Sequence, residues 1–253
     1  MLALLAGADA WSGRSTPREL IDESVRGAEA FLQRAATLTV ESMQRDGASV
    51  VAVVRVTNET GHRFPTAYPS RRAWLHLRAL DANGAVRFES GRWDARGAIV
   101  DGRGERLDAV GTVIPHRDRV TNDREVQVWE AALADRDGRS THTLLHAERY
   151  LKDDRIPPRG HRTDHPNARW TSPTGVDGDT DYGSDGIDRV TFALPAETAR
   201  VEVELVFQSV SPAAVEALGA HPTPAYTRFR ALVDAAPPEP RVLARATRAI
   251  TSP

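Results

Sequence analysis

The sequence predicts a mainly β protein, a β-sandwich with an N-terminal helix and short C-terminal helices. Apolar residues alternate at period two in several separate runs, tight-turn dipeptides divide those runs, and helical periodicity is confined to the two ends. Residues 1–37 read as a helical segment. Residues 38–253 read as the β-sandwich domain with its C-terminal helices and tail. A chain of 253 residues can bury a sizeable core.

The N-terminal helix has a start signal in Thr16-Pro17-Arg18-Glu19: an N-cap, a proline at the first helical position and a glutamate three residues after the cap. Leu20, Val25, Ala28, Phe31, Leu32 and Ala35 then recur at helical spacing to about Ala36, an apolar stripe that needs a partner. From Leu38 the period is two. Ser49 to Val56 is rich in β-branched residues and reads as a buried strand. Ala73, Leu75, Leu77 and Ala79 alternate with Trp74, His76 and Arg78, as in a strand with one face in the core. Asn83-Gly84 supplies the positive φ angles of a hairpin turn, and Val86 and Phe88 fit the returning strand. Val126 and Val128 open another strand, which ends before the Asp137-Gly138 turn. Val201, Val203, Leu205 and Phe207 form the cleanest strand, and Val190, Phe192 and Leu194 are expected to pair beside it. Ser211-Pro212 caps a short helix to about Leu218, and Pro224 to Val233 gives another. Pro237-Pro238-Glu239-Pro240 breaks that helix and leads into a tail. Residues 155–186 show little periodicity, and a loop of that length is usually functional, metal-organised or disordered.

Composition excludes several chemistries. The chain has no cysteine, so its residues form no disulfide, thiolate metal site, Fe–S cluster or C-x-x-C-H attachment for c-type haem. Its 33 basic and 35 acidic residues give a net charge of −2, without the basic surplus of a nucleic-acid binder. No apolar run approaches the ~18 residues of a membrane span. Met1 to Ala10 is apolar but short and lacks a basic flank, so no signal peptide is read there. Neither a G-x-S-x-G elbow nor a phosphate-cradling glycine loop occurs.

One stretch carries a family resemblance. Val56-Thr57-Asn58-Glu59-Thr60-Gly61-His62-Arg63-Phe64-Pro65-Thr66 continues through Tyr68-Pro69-Ser70-Arg71-Arg72-Ala73-Trp74-Leu75 to Phe88-Glu89-Ser90-Gly91. Later segments join it: Glu125-Val126-Gln127-Val128-Trp129-Glu130, Tyr150-Leu151-Lys152-Asp153-Asp154-Arg155 with Pro158-Arg159-Gly160, and Phe207-Gln208-Ser209-Val210. Together they resemble the haem-free C-terminal region of bacterial multihaem c-type cytochromes of the cytochrome c-554-like group, from about Ala28 to Leu243. In such proteins the C-x-x-C-H motifs lie upstream of this region. The resemblance implies an accessory non-haem domain or subunit of a periplasmic or extracytoplasmic electron-transfer system, with a multihaem cytochrome module as partner.

Within that reading, His62 in its stiff loop is a candidate axial haem ligand, with a backbone-bonded loop histidine as the alternative. Arg71 and Arg72 are candidates to pair with haem propionates, or to form salt bridges within the domain. In the acidic stretch, Asp177, Asp179, Asp181, Asp185 and Asp188 occupy positions 1, 3, 5, 9 and 12 of a twelve-residue window, the spacing of a Ca2+ loop. Its flanks read as extended, so the expectation is a structural calcium in a loop that is not an EF-hand, or a solvated acidic turn. This supports a second function, a calcium-stabilised β-sandwich binding module for carbohydrate or protein without redox role. Trp74, Trp93, Trp129 and Trp170 would line its ligand face, unless they pack in the core. The pairs His142/His146 and His161/His165 have the i, i+4 spacing of a helical metal site, which would suit a hydrolase. Surface or loop histidines are the plainer reading of both.

Overall fold

The computed structural model describes residues 17–182 and 184–250. Two sheets face each other. In chain order the elements are α1 (Arg18–Leu32), β1 (Ala36–Asp46), β2 (Ser49–Asn58), β3 (Arg72–Leu80), β4 (Val86–Ser90), β5 (Arg119–Val120), β6 (Val128–Ala134), β7 (Ser140–Thr141) and β8 (Arg149–Asp153). They continue with α2 (Ala168–Thr171), β9 (Ile187–Pro195), β10 (Arg200–Gln208), α3 (Pro212–Leu218), α4 (Pro224–Ala235) and β11 (Arg241–Ala249). The smaller sheet has the order β1-β2-β9-β5, with β5 parallel to β9. The larger runs β11-β10-β3-β6-β7, with β4 beside one end of β3 and β8 beside β6. The expected mainly β sandwich with terminal helices is therefore observed. No helix among the described residues is long and apolar enough to cross a membrane.

The core lies between the sheets. Val50, Ala52, Val54 and Val56 of β2 point into it, together with Val190, Phe192 and Leu194 of β9. Leu75, Leu77 and Ala79 of β3 meet Leu205, Val203 and Val201 of β10 in register, and all are buried. Each of the valine, leucine and phenylalanine side chains contributes about 1.5–3 kcal/mol when fully buried. Strand β3 is buried on both faces, because Trp74 packs on its far side with Ile99, Val128 and Val206 in a second apolar cluster.

Three expectations need correction. β9 and β10 do not pair: β9 bonds to β2, β10 bonds to β3 and β11, and the chain between them crosses from one sheet to the other. The segment after the proline run is no tail but strand β11, which completes the larger sheet. Helix α1 stops at Leu32, and Ala36 already opens β1. Its apolar stripe is only partly covered, with Ile21 buried but Leu20 and Phe31 more than half exposed. Thr16, the expected cap, and the apolar opening residues lie outside the described residues.

A tight crossing fixes the end of β4. Gly91 has φ +81°, its carbonyl accepts from Trp74 Nε1 at 2.8 Å, and a Cβ there would lie 2.1 Å from the Leu75 carbonyl oxygen. Gly84 also has a positive φ but opens onto free space. Gly91→Ala is therefore expected to cost more than the ~1–3 kcal/mol of a strained backbone alone, and Gly84→Ala no more than that. Urea midpoints of the two variants measure the difference.

Candidate functional site

The loop from β2 to β3 carries His62 and is fixed from beneath. Asn58, fully buried at the end of β2, donates through Nδ2 to the carbonyls of His62 at 2.6 Å, Ile156 at 3.0 Å and Pro157 at 3.2 Å. Its Oδ1 accepts from the Thr60 amide and hydroxyl. Phe64 and Ile156 exchange backbone hydrogen bonds of 2.9 and 2.8 Å, and Phe64 is buried. The backbone around His62 is thus tied to the segment after β8. The imidazole itself is exposed and has no hydrogen-bond partner among the described residues. Asn58→Ala would orphan several of these buried groups, at about 1–3 kcal/mol. We expect faster hydrogen exchange at the Thr60 and Phe64 amides and a lower urea midpoint.

Beside His62 lies a groove of about 660 Å³. One wall is α1, with Val25, Phe31 and Leu32; the other is Phe64, Pro65 and Phe207. Arg63, Arg71 and Arg241 stand at its margin. Arg63 also donates to the Arg155 and Thr171 carbonyls and faces Asp153 at 3.6 Å. Arg71 is partly exposed, with a 3.4 Å contact to the Thr66 carbonyl.

The two neighbouring arginines separate. Arg72 is buried, pairs with Asp108 at 2.7 Å, and donates to Gln208 Oε1 and the Gly97 carbonyl. It sits 5.3 Å over the Trp74 ring. Its donors are spent inside the domain, so of the expected propionate pair only Arg71 borders the groove.

The five aspartates of the acidic stretch do not converge. Asp177 and Asp185 are exposed. Asp181 binds Arg189 Nη1 at 2.7 Å. Asp179 and Asp188 instead turn inward to His116, and one ligand atom from each of the three lies within 4.8 Å of the others. Asp118, Asp179 and Asp181 form a second such group. The spacing of a calcium loop is present in the sequence, but three of its carboxylates are engaged by an imidazole, a guanidinium and an indole.

Around His116 the interior is densely charged. His116 Nδ1 lies 3.1 Å from Asp154 Oδ2 and 3.0 Å from Gln127 Nε2, and Nε2 lies 3.0 Å from Asp179 Oδ2. Asp154 is fully buried, and also accepts from Gln127, the Glu130 amide and Lys152 Nζ. Lys152 is buried too and reaches the Ile114 and Val128 carbonyls. Trp129 Nε1 donates to Asp188 Oδ2 at 2.5 Å, and Tyr182 stands edge-on to the His116 ring. Burial pushes the imidazole down, but bonds to Asp154 and Asp179 and the charge of Asp188 lift it to about 9. Asp188 moves well above the usual carboxylate range because burial outweighs His116 and Trp129.

The remaining candidates fall apart. His142 lies in a loop and His146 in a single 3₁₀ turn, edge-on to His221. His161 contacts the Thr171 carbonyl, and His165 accepts the Asn167 amide. Trp74 and Trp129 are in the core, whereas Trp170 is exposed, so no tryptophan row forms among the described residues. The His116 cluster was not read from the sequence. Gln127, Trp129, Lys152 and Asp154 do lie in segments that carry the family resemblance. A Lys-Asp-Asp-Arg run at the end of a strand was the available signal, since such a run has no periodic reason to be there.

No family model matches this sequence, and no curated protein matches it. Among solved structures, the chain is similar to a penta-haem cytochrome c552 from Thermochromatium tepidum, with 20% identity and a TM-score of 0.47. The similarity covers 88% of this chain and 41% of the other, so this chain spans well under half of that protein.

Proposed function

We propose that this chain is an accessory non-haem domain of a multihaem cytochrome electron-transfer system, packing against a c-type haem module and offering His62 to it. The observation that carries this reading is an exposed imidazole without a hydrogen-bond partner among the described residues, on a pinned loop beside a largely apolar groove. The groove's volume lies within the roughly 300–1,000 Å³ of small-molecule and cofactor sites. The family resemblance centres on the same loop, from Asn58 to Thr66.

In this reading His62 would hold the iron through a ring nitrogen, and Phe31, Phe64 and Phe207 would keep water from the haem edge. Arg71 pairs with a propionate at the margin. The haem would supply one-electron transfer when bound, and it would come from a partner chain or from a segment outside these residues, which have no cysteine to attach it. The setting is extracytoplasmic by the same resemblance.

Titrating the purified chain with haemin, followed by visible absorption, tests the ligand role. Wild type is expected to give a shifted Soret band of imidazole-bound haem and His62→Ala to lose it. Identical spectra for both proteins, or no binding by wild type, would remove His62 from the proposal.

A further inference from the structure

We propose that His116, Asp179 and Asp188 bind one divalent transition-metal ion of the zinc type, with Asp154 orienting the imidazole. This does not rest on the haem reading. The three residues come from distant parts of the chain: the connection between β4 and β5, the long loop before β9, and β9 itself. The His116, Asp179 and Asp188 side chains are no more than 5% exposed.

Geometry supplies the first argument. Two donors about 2.0–2.1 Å from a zinc ion in tetrahedral array lie about 3.3–3.4 Å apart. His116 Nε2 and Asp179 Oδ2 are at 3.0 Å, so an ion enters between them with a movement of a few tenths of an ångström, releasing the Nε2 proton to solvent. Asp154, fully buried, takes the proton of Nδ1 and leaves Nε2 directed at Asp179. A carboxylate behind a metal-binding histidine fixes the tautomer and raises ligand basicity in this way.

An independent observation points to a missing ligand. Asp188 is fully buried, yet its Oδ1 has no hydrogen-bond partner among the described residues. The buried Tyr182 hydroxyl beside the same ring also has none. An unpaired carboxylate oxygen in a protein interior is costly unless a proton or a cation meets it. Lys152 is the other buried cation nearby, and it is taken up by Asp154 and two carbonyls.

The donor set selects the ion. One imidazole and two carboxylates suit zinc and its neighbours, whereas Ca2+ prefers six to eight oxygens. The adjoining Asp118–Asp179–Asp181 group is all oxygen, but Arg189 already serves Asp181 as its cation. A metal at His116 would also tie the long loop to β9.

The test uses the full chain after EDTA treatment. Calorimetric titration with ZnCl2 is expected to give one ion per chain, a raised Tm, and at least ~10-fold weaker binding in Asp188→Asn and in His116→Gln. Calcium chloride should compete poorly. Absence of saturable zinc binding overturns the proposal. So does unchanged binding in both variants, which would assign the zinc to other histidines. Should a variant fail to fold, CoCl2 added to wild type decides the matter. Intense visible bands at one equivalent support a four- or five-coordinate site, and only the weak spectrum of hydrated cobalt overturns it.

Discussion

Asp154→Asn is expected to destabilise the protein by about 3–5 kcal/mol, read as a lower urea midpoint with an unchanged slope. The carboxylate has no exposed surface and serves four donors: His116, Gln127, the Glu130 amide and Lys152. Asparagine keeps one oxygen for the amide but turns an NH2 toward groups that need an acceptor. Lys152 then stays buried with Glu130 at 3.8 Å as its nearest remaining carboxylate. Removing one partner from a buried charge network leaves the other without compensation, and that desolvation cost dominates the loss. A shift below about 1 kcal/mol would mean that water or a rearranged side chain replaces the carboxylate.

Arg72→Leu should cost about 3 kcal/mol at neutral pH, at the lower end for a broken buried pair. Asp108 keeps Arg106 at 2.7 Å and the Ile99 amide, so it is not left bare. Gln208 Oε1 loses its Arg72 donor. The effect depends on pH. Burial raises the Asp108 carboxyl, but the charge of Arg72 and the bonds from Arg106 and Arg72 outweigh it and hold it below its ordinary 3.8. A depressed carboxylate adds stability above its unfolded pKa and loses it as pH falls through the folded value. Without Arg72 the carboxyl is less depressed and protonates earlier, which relieves the variant of its buried charge. The gap between wild type and variant should therefore be widest near pH 7 and narrow below about pH 4. Urea curves at pH 7 and pH 3.5 measure it, and a gap that widens in acid would contradict this account.

Strands with an unmistakable alternation were legible. β2, β3 and β10 lie where period-two patterning put them, because each has a face in the core. Pairing was not legible, since alternation says which face is buried and not which strand lies alongside. β9 and β10 are neighbours in the chain and belong to opposite sheets. β11 escaped because it is an edge strand of arginines and alanines with mostly exposed side chains, so no alternation was required of it. His62 was singled out as a candidate through its motif. The His116 cluster was not, because its members are scattered from 116 to 188 and no local spacing unites them. The aspartate spacing did not reveal that Asp179, Asp181 and Asp188 meet His116, Arg189 and Trp129, since a ligand pattern in sequence carries no information about side chains that come from elsewhere.

The central claim is that the His62 groove receives a haem module. Its most direct test is a co-expressed complex with a multihaem c-type cytochrome, examined by the visible and EPR spectra of its ferric haems. Wild type is predicted to associate and to give a low-spin signal that His62→Ala abolishes, while Phe31→Asp in the groove wall weakens association. A complex whose spectra are indifferent to His62, or no association at all, would contradict it.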